Sequence, residues 1–247
     1  MFNPQQNRGP FGGSQRNTSA YQYEPLPYNM VGTRQAGGLI SKVMALMACS
    51  FLLATVGAFV GVITGIPFMA SILIMIAGLV VLMILHACIN KQGTNLVLLF
   101  LFTFLEGLSL GPLVGLYLTS GMSYILGQAF IMTTGTSLIL AAYAWITKRS
   151  FARLGDWLFA GLILLILTSI IGIFIGGLGF HLLIAFFGVA IFSGYILYYV
   201  QRAKYMADTL PNAVGLTVSL FITVMNLFLY ILEILTILQG GGNRGNR

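Results

Sequence analysis

The chain has 247 residues, of which 58% are hydrophobic and 7% are charged, and its formal net charge is +7. Soluble domains carry about 25% charged residues, so this composition excludes a soluble globular fold, whose surface would need more charge. We therefore expect an all-α integral membrane protein that is surrounded by the lipid bilayer, whose basic residues set its topology and do not bind nucleic acid.

The first 42 residues are polar and rich in Gly, Asn, Gln, Pro and Tyr, without a periodic apolar pattern. This composition predicts a disordered cytosolic tail over residues 1–42. We expect no cleavable signal peptide, because the tail has no apolar segment of the required kind. The tail is either an inert extension or a segment that a cytoplasmic partner binds. Residues 239–247 are rich in Gly and Asn and predict a short flexible tail.

Residues 43–238 form the predicted transmembrane domain. Seven apolar stretches are each long enough, at about 17–25 residues, for a helix to cross a bilayer. None of them alternates between polar and apolar residues as the strands of a membrane β-barrel do. The sequence therefore predicts seven helical spans, at residues 43–64, 68–89, 95–118, 122–146, 157–175, 182–200 and 214–238.

Basic residues occur in the N-terminal tail and in every second predicted loop, whereas the alternate loops have no Lys or Arg. By the positive-inside rule, this pattern predicts a cytoplasmic N-terminus and, after seven spans, a C-terminus on the outer side of the membrane. Arg244 and Arg247 oppose that orientation. The alternative is a re-entrant last segment with a cytoplasmic C-terminus. The basic residues that support the first orientation are Arg8, Arg16, Arg34, Lys42, Lys91, Lys148, Arg149, Arg153, Arg202 and Lys204.

The third predicted span carries one carboxylate, Glu106, in an otherwise uncharged run. An ionisable group at that depth costs at least about 2.5 kcal/mol, so we expect a polar partner, a water-filled cavity or a function. Gly107, Gly111 and Gly115 are four residues apart and predict a helix face on which a neighbouring backbone comes close. Pro112 removes a backbone hydrogen bond and predicts a bend in the same span.

The last predicted span carries a polar stripe within an arc of about 80° of the helix. A polar face on a membrane helix should contact protein or water and not lipid. The stripe either forms hydrogen bonds between helices or lines a path for ions or protons. Its residues are Ser219, Thr223, Asn226, Tyr230 and Glu233.

Glu106 and Asn226 lie at nearly equal depth, because each is about midway along its span and both spans run in the same direction. A protonated Glu106 could then donate a hydrogen bond to the Asn226 carbonyl oxygen. Glu233 lies about 10 Å nearer the outer surface at a rise of about 1.5 Å per residue. The sequence therefore predicts a Glu106–Asn226 pair and no contact between the two carboxylates.

Catalytic motifs are absent from the sequence. His86 and His181 fall at opposite membrane surfaces, and no paired carboxylates, nucleophile elbow or phosphate-binding loop occurs. Cys49 and Cys88 are predicted to be small packing residues, since no His or acidic residue lies near them at metal-ligand spacing. We therefore expect no enzymatic activity, no cofactor and no metal site.

Three stretches, at residues 106–112, 117–122 and 218–228, resemble the Bax inhibitor/YccA family of transmembrane Bax-inhibitor-motif proteins. The resemblance extends over about residues 40–238, and residues 111–148 are closest to the bacterial YccA branch. It implies a seven-helix bundle with the last helix at its centre, in a bacterial inner membrane. The C-terminus, predicted to lie outside, would then be periplasmic. The polar stripe, interpreted from the residues alone, agrees with the central position of the last helix.

The resemblance implies two activities. Some family members are pH-sensitive calcium leak channels gated by an aspartate pair on the last two helices. The YccA branch is linked to the membrane AAA protease FtsH, as a substrate and modulator that the protease engages through the cytosolic tail. In this chain the aspartate positions fall on Tyr199 and Thr223, which cannot form a carboxylate pair. The resemblance therefore favours an FtsH modulator, with a calcium or proton leak through Glu106, Asn226 and Glu233 as the alternative.

Overall fold

The computed structural model of the chain describes residues 33–240. In this range the regular structure consists of α-helices. They are α1 (Thr33–Thr64), α2 (Phe68–Ala87), α3 (Thr94–Ser109), α4 (Gly111–Thr119), α5 (Ser123–Ile146), α6 (Leu154–Ile175), α7 (Leu178–Ala203) and α8 (Leu210–Gly240).

The predicted number of membrane spans is confirmed. Seven helical segments in residues 33–240 are long and apolar enough to cross a bilayer, and α3 and α4 together form one of them. The break between α3 and α4 falls at Leu110, directly before Gly111 and Pro112. The span is therefore interrupted next to Pro112, which occupies the first turn of the new helix, a position at which its missing N–H is tolerated.

The first helix begins earlier than the apolar pattern indicates. α1 begins at Thr33, so residues 33–42 are helical although the composition places them in the tail. Leu39 and Val43 are one turn apart and buried, and they pack against Ala203, the last residue of α7, and Met206, which follows it. This tertiary contact stabilises the extra helical turns. The rest of the predicted N-terminal tail, residues 1–32, and the tail at 241–247 lie outside the described residues.

The last helix lies at the centre of the bundle, as predicted. α8 packs against α1, α3, α5 and α7, and no residue at positions 210–237 is exposed. It is one continuous helix of 31 residues. Its length and hydropathy are sufficient to cross a bilayer, which favours the predicted span over the re-entrant alternative.

The outward-facing side chains of the bundle are large and apolar. Phe174, Ile146 and Phe130 are among the most exposed, which suits contact with lipid chains and would be unfavourable in water. The bilayer is therefore the environment of this protein. The loops with Lys and Arg lie at one end, called the basic end, which includes Lys42, Lys91, Lys148, Arg149, Arg153, Arg202 and Lys204.

Candidate functional site

The helices on either side of Glu106 approach through small residues. A Cβ added to Gly107 would overlap the Ala54 carbonyl oxygen on α1, and one added to Gly111 would lie 2.5 Å from the Gly61 Cα. Gly115 lies outside this contact, contrary to the packing role predicted for it. The reason is the length of α1, which ends at Thr64, one turn past the level of Gly61.

Glu106 faces α2. Its Oε1 lies 3.4 Å from the position that a Cβ on Gly78 would occupy. The Glu106 backbone carbonyl accepts a hydrogen bond of 2.7 Å from the Ser109 Oγ. In residues 33–240 its carboxyl group forms no hydrogen bond or ion pair. The small Gly78 leaves the space that the carboxyl group uses.

The predicted Glu106–Asn226 pair does not form. The two residues do lie at similar depth, because Phe102 and Phe221, four and five residues earlier, pack edge to face with ring centroids 6.0 Å apart. The Asn226 Nδ2, however, donates to the Ile222 carbonyl oxygen on its own helix at 2.8 Å. Equal depth fixes the level of two side chains but not the direction in which each one points.

The stripe residues before Asn226 also bond to their own helix. The Ser219 Oγ donates to the Gly215 carbonyl oxygen at 3.0 Å, and the Thr223 Oγ1 donates to the Ser219 carbonyl oxygen at 2.7 Å. Such bonds let a hydroxyl group lie in an apolar bundle without a partner on another helix. This half of the stripe is therefore satisfied within α8.

The part of the stripe beyond Asn226 faces α7 through aromatic rings. The Tyr230 ring covers Gly188, where an added Cβ would lie 2.6 Å from ring carbons. The same ring stacks on Phe192, with centroids 5.8 Å apart. One and two turns further along α7, Tyr195 stacks on Tyr199 at 5.6 Å. Tyr199 is thus one member of a row of rings, and its position is set by packing.

Glu233 lines an open cavity of about 330 Å³ between α4, α7 and α8, at the end of the bundle opposite the basic end. We call it the Glu233 cavity. The Glu233 Oε1 lies 3.6 Å from the His181 Nδ1. Across the cavity the Tyr117 Oη and the Thr236 Oγ1 are 2.5 Å apart. Since Thr236 donates its proton to the Leu232 carbonyl oxygen, Tyr117 is the donor to Thr236.

The pairing of Glu233 with His181 was not predicted from the sequence, and neither Tyr117 nor Thr236 was predicted as a site residue. The sequence does indicate that Glu233 and His181 are close in depth. His181 directly precedes the sixth predicted span and Glu233 lies near the end of the seventh, so both lie at the same surface. His86 is at the basic end, where its Nδ1 lies 2.8 Å from the Leu82 carbonyl oxygen. The two histidines are therefore on opposite sides.

The polar groups in the bundle are carboxyl, imidazole, amide and hydroxyl groups. In the described range, no three side chains of His, Cys, Asp or Glu come close enough together to hold a metal ion. The Glu233 cavity offers one carboxylate, one imidazole and two hydroxyl groups among leucine side chains. This set could bind or pass a proton or a cation, and it contains no activated nucleophile.

These features define the class: a polytopic helical membrane protein built around a central last helix. The family follows from comparison of sequences. The family described as "Inhibitor of apoptosis-promoting Bax1" matches residues 37–240, and the chain belongs to this Bax inhibitor family.

Similar proteins occur in bacteria and in a virus. An uncharacterized protein of Helicobacter pylori (strain J99) is 36% identical over 195 residues, which cover 77% of this chain and 82% of that protein. A membrane protein of Vibrio cholerae is 28% identical over 208 residues, covering 84% and 92%. The Golgi anti-apoptotic protein of vaccinia virus (strain Lister) is 34% identical over 160 residues, which are 65% of each chain.

Proposed function

We propose that the chain is a non-enzymatic protein of a bacterial inner membrane that acts as a substrate and modulator of an FtsH-type AAA protease. The protease engages the N-terminal segment that precedes α1. The helical bundle holds that segment at the membrane, close to a protease that is itself membrane-anchored. No chemistry in the bundle is required for this role.

One observation carries the proposal: the packing of Tyr199 and Thr223, the positions of the channel-type aspartate pair. Tyr199 lies in the row of rings on α7, and the Thr223 hydroxyl group is bonded to its own helix. Neither residue supplies a carboxylate at the α7–α8 contact. This favours the YccA branch, whose role depends on a protease, over the calcium channels.

The proposed location and orientation rest on composition and on the relatives. Bacterial outer-membrane proteins are characteristically β-barrels, so a helical bundle with bacterial relatives fits the inner membrane. By the positive-inside rule, the seven basic residues of the basic end favour a cytoplasmic location for that end. The segment before α1 then lies on the cytoplasmic side, and the C-terminus is periplasmic.

A pulse-chase experiment in cells with a depletable protease tests the proposal. We expect the intact chain to decay faster with the protease than without it. A variant lacking residues 2–32 should decay slowly in both conditions. A control with a Gly-Ser segment of the same length in place of residues 2–32 separates the effect of tail length from that of tail sequence. Equal, protease-dependent decay of the intact and shortened chains would exclude engagement through this segment.

The alternative function is a pH-sensitive leak of calcium ions or protons through the bundle. The Glu233 cavity supports it, since a carboxylate and an imidazole group 3.6 Å apart could accept a cation or exchange a proton. Glu106 could provide a second carboxylate deeper in the membrane. Asn226, Thr223, Ser219, Tyr230 and Tyr199 would then flank the path along the α7–α8 contact.

Proteoliposomes loaded with a calcium-sensitive or pH-sensitive dye test this alternative. A leak through the bundle predicts a flux that Glu233→Gln and Glu106→Gln reduce by at least about ten-fold, as expected for loss of a charged binding group worth about 1.4 kcal/mol. Asp156→Asn removes an exposed acid in the first turn of α6, away from the Glu233 cavity, and should leave the flux unchanged. A flux no greater than that of empty liposomes would exclude the leak.

A further inference from the structure

A second cavity, of about 370 Å³, lies at the basic end, between the loop at residues 147–153 and the last turn of α7. We call it the loop cavity. Its walls include Ser150, Phe151, Tyr198 and Arg202. It lies at the opposite end of the bundle from the Glu233 cavity and has no role in the proposed function.

The loop that forms one wall is held in place by a buried amide. The Gln201 side chain is 6% exposed. Its Oε1 accepts a hydrogen bond from the Phe151 N–H, and its Nε2 donates to the Arg149 carbonyl oxygen. The Lys204 Nζ donates to the Thr147 carbonyl oxygen at 3.5 Å. These bonds fix the loop against α7, so the cavity is formed before any ligand arrives.

Positive charge is concentrated on the loop that forms one wall of the loop cavity and on α7. Lys148, Arg149 and Arg153 are exposed on the loop, and Arg202 forms part of the wall. The nearest acidic residue in sequence is Asp156, in the first turn of α6. Four cations against one acid favour an anionic ligand.

Arg202 is oriented by the neighbouring ring. Its guanidinium carbon lies 5.9 Å from the centroid of the Tyr198 ring, and its Nη1 donates to the Tyr198 Oη at 3.4 Å. The planar arrangement of the N–H donors on a guanidinium group matches phosphate oxygens. Ser150 adds a hydroxyl donor on the facing wall.

The aromatic residues around the loop cavity place it at the level of the lipid headgroups. Trp157 is 78% exposed, Tyr205 60% and Trp145 42%, and all three lie at the basic end. Exposed Trp and Tyr side chains concentrate at the boundary between the hydrocarbon core and the headgroups. A ligand at that depth, next to lipid, is most simply a lipid.

We propose that the loop cavity binds the phosphate group of an anionic phospholipid. Arg202 and Ser150 contact the phosphate oxygens, and the cations of the 147–153 loop attract the lipid from the surrounding membrane. Partial burial lowers the pKa of the Lys204 amine, and a neighbouring anion would stabilise its charged form. The lipid would hold the loop and α7 together at the surface of the bilayer.

Native mass spectrometry of the full chain in detergent tests the proposal, with phosphatidylglycerol and phosphatidylcholine of the same acyl chains as probes. We expect phosphatidylglycerol to bind at least about five-fold more tightly, since each basic residue near the membrane surface is worth about 1 kcal/mol toward anionic lipid. Arg202→Gln should remove most of that preference. The matched control is Lys91→Gln, which removes an exposed cation from another loop at the same end. This variant should keep the preference for phosphatidylglycerol.

A second variant separates loop geometry from charge. Gln201→Leu keeps every cation but removes the two bonds that hold the loop, so it should also reduce the preference, with its fold checked by circular dichroism. Equal binding of the two lipids, or equal loss in Arg202→Gln and Lys91→Gln, would overturn the proposal. Displacement of phosphatidylglycerol by inorganic phosphate at equal concentration would assign the cavity to a free anion and overturn the lipid assignment.

Discussion

The contact between α1 and α3–α4 and the contact between α7 and α8 solve the same packing problem differently. In the first, Gly61 and Gly111 let two backbones meet, with 2.5 Å between an added Cβ and the facing Cα. In the second, one glycine, Gly188, makes room for the Tyr230 ring, which then stacks on Phe192. One contact joins backbone to backbone, and the other joins side chains.

The difference matters for what each contact can tolerate. A backbone cannot move aside, whereas a ring can rotate or shift by a few tenths of an ångström. The α1–α3 contact is therefore the rigid part of the bundle. The α7–α8 contact, with the Glu233 cavity at its end, is the part that can adjust, which suits a place where protons or ions would enter if the chain conducts them.

The largest effect is expected from Gly107→Ala. The added methyl group would overlap the Ala54 carbonyl oxygen, and only a shift of one helix could relieve the overlap. We expect a loss of about 3 kcal/mol in the free energy of unfolding, at the upper end for overpacked cores. Thermal unfolding in detergent measures it.

Gly115→Ala is the matched control for this change. It lies two turns further along the same span, where an added Cβ meets no described atom of another helix within 4 Å. Ala is the better helix former by about 0.5–1 kcal/mol, so this variant should be neutral or slightly more stable. Equal losses in the two variants would refute the backbone contact.

Gly188→Ala should lower the free energy of unfolding by about 1–2 kcal/mol, which is less than for Gly107→Ala, because the Tyr230 ring can shift away from the new methyl group. Tyr230→Leu in the same chain should recover most of the loss. A double-mutant cycle with both single variants measures the coupling. Additive losses would show that the ring does not cover this glycine.

Replacement of Glu106 is expected to raise the stability of the chain, whereas the glycine substitutions at close contacts lower it. Its carboxyl group has no hydrogen-bond partner in residues 33–240, so replacement by Leu breaks no bond and removes a polar group from membrane depth. We expect Glu106→Leu to stabilise the chain by about 1 kcal/mol. Glu106→Gln should change the free energy of unfolding by less than about 0.5 kcal/mol. A marked loss of stability in Glu106→Leu would reveal a partner that the structure does not contain.

The smallest effect concerns the ion pair that ties α1 to the loop before α8. The Lys42 Nζ lies 2.9 Å from the Asp208 Oδ1, with the two side chains 48% and 25% exposed. Exposed pairs are worth about 0.2–1 kcal/mol, so Asp208→Asn should cost about 0.5 kcal/mol, and less at high salt. A loss that is unchanged by salt would point to the close approach of Asp208 to Gly38 and not to charge.

The spans could be predicted from the sequence because the bilayer fixes their length and demands apolar side chains along it. The start of α1 could not, since residues 33–42 are polar by composition. Their helix depends on Leu39 and Val43 packing on Ala203 and Met206. A contact between residues about 160 positions apart leaves no local pattern.

The depth of the polar side chains in the membrane could be predicted from the sequence, but the direction in which each side chain points could not. Hydrophobic spacing places Glu106 level with Asn226, and the ring contact of Phe102 with Phe221 agrees. Whether each side chain turns to a neighbour or to its own helix depends on helix rotation and on bonds such as Asn226 to Ile222. Glu233 and His181 were not paired from the sequence, although the predicted topology places both at one surface.

The central claim is that a membrane protease engages this chain through the segment before α1. Its most direct test is degradation by purified FtsH, with ATP, in liposomes that contain either the intact chain or the chain lacking residues 2–32. We predict that the intact chain is degraded and that the shortened chain persists. Degradation of both at the same rate, or of neither, would contradict the claim.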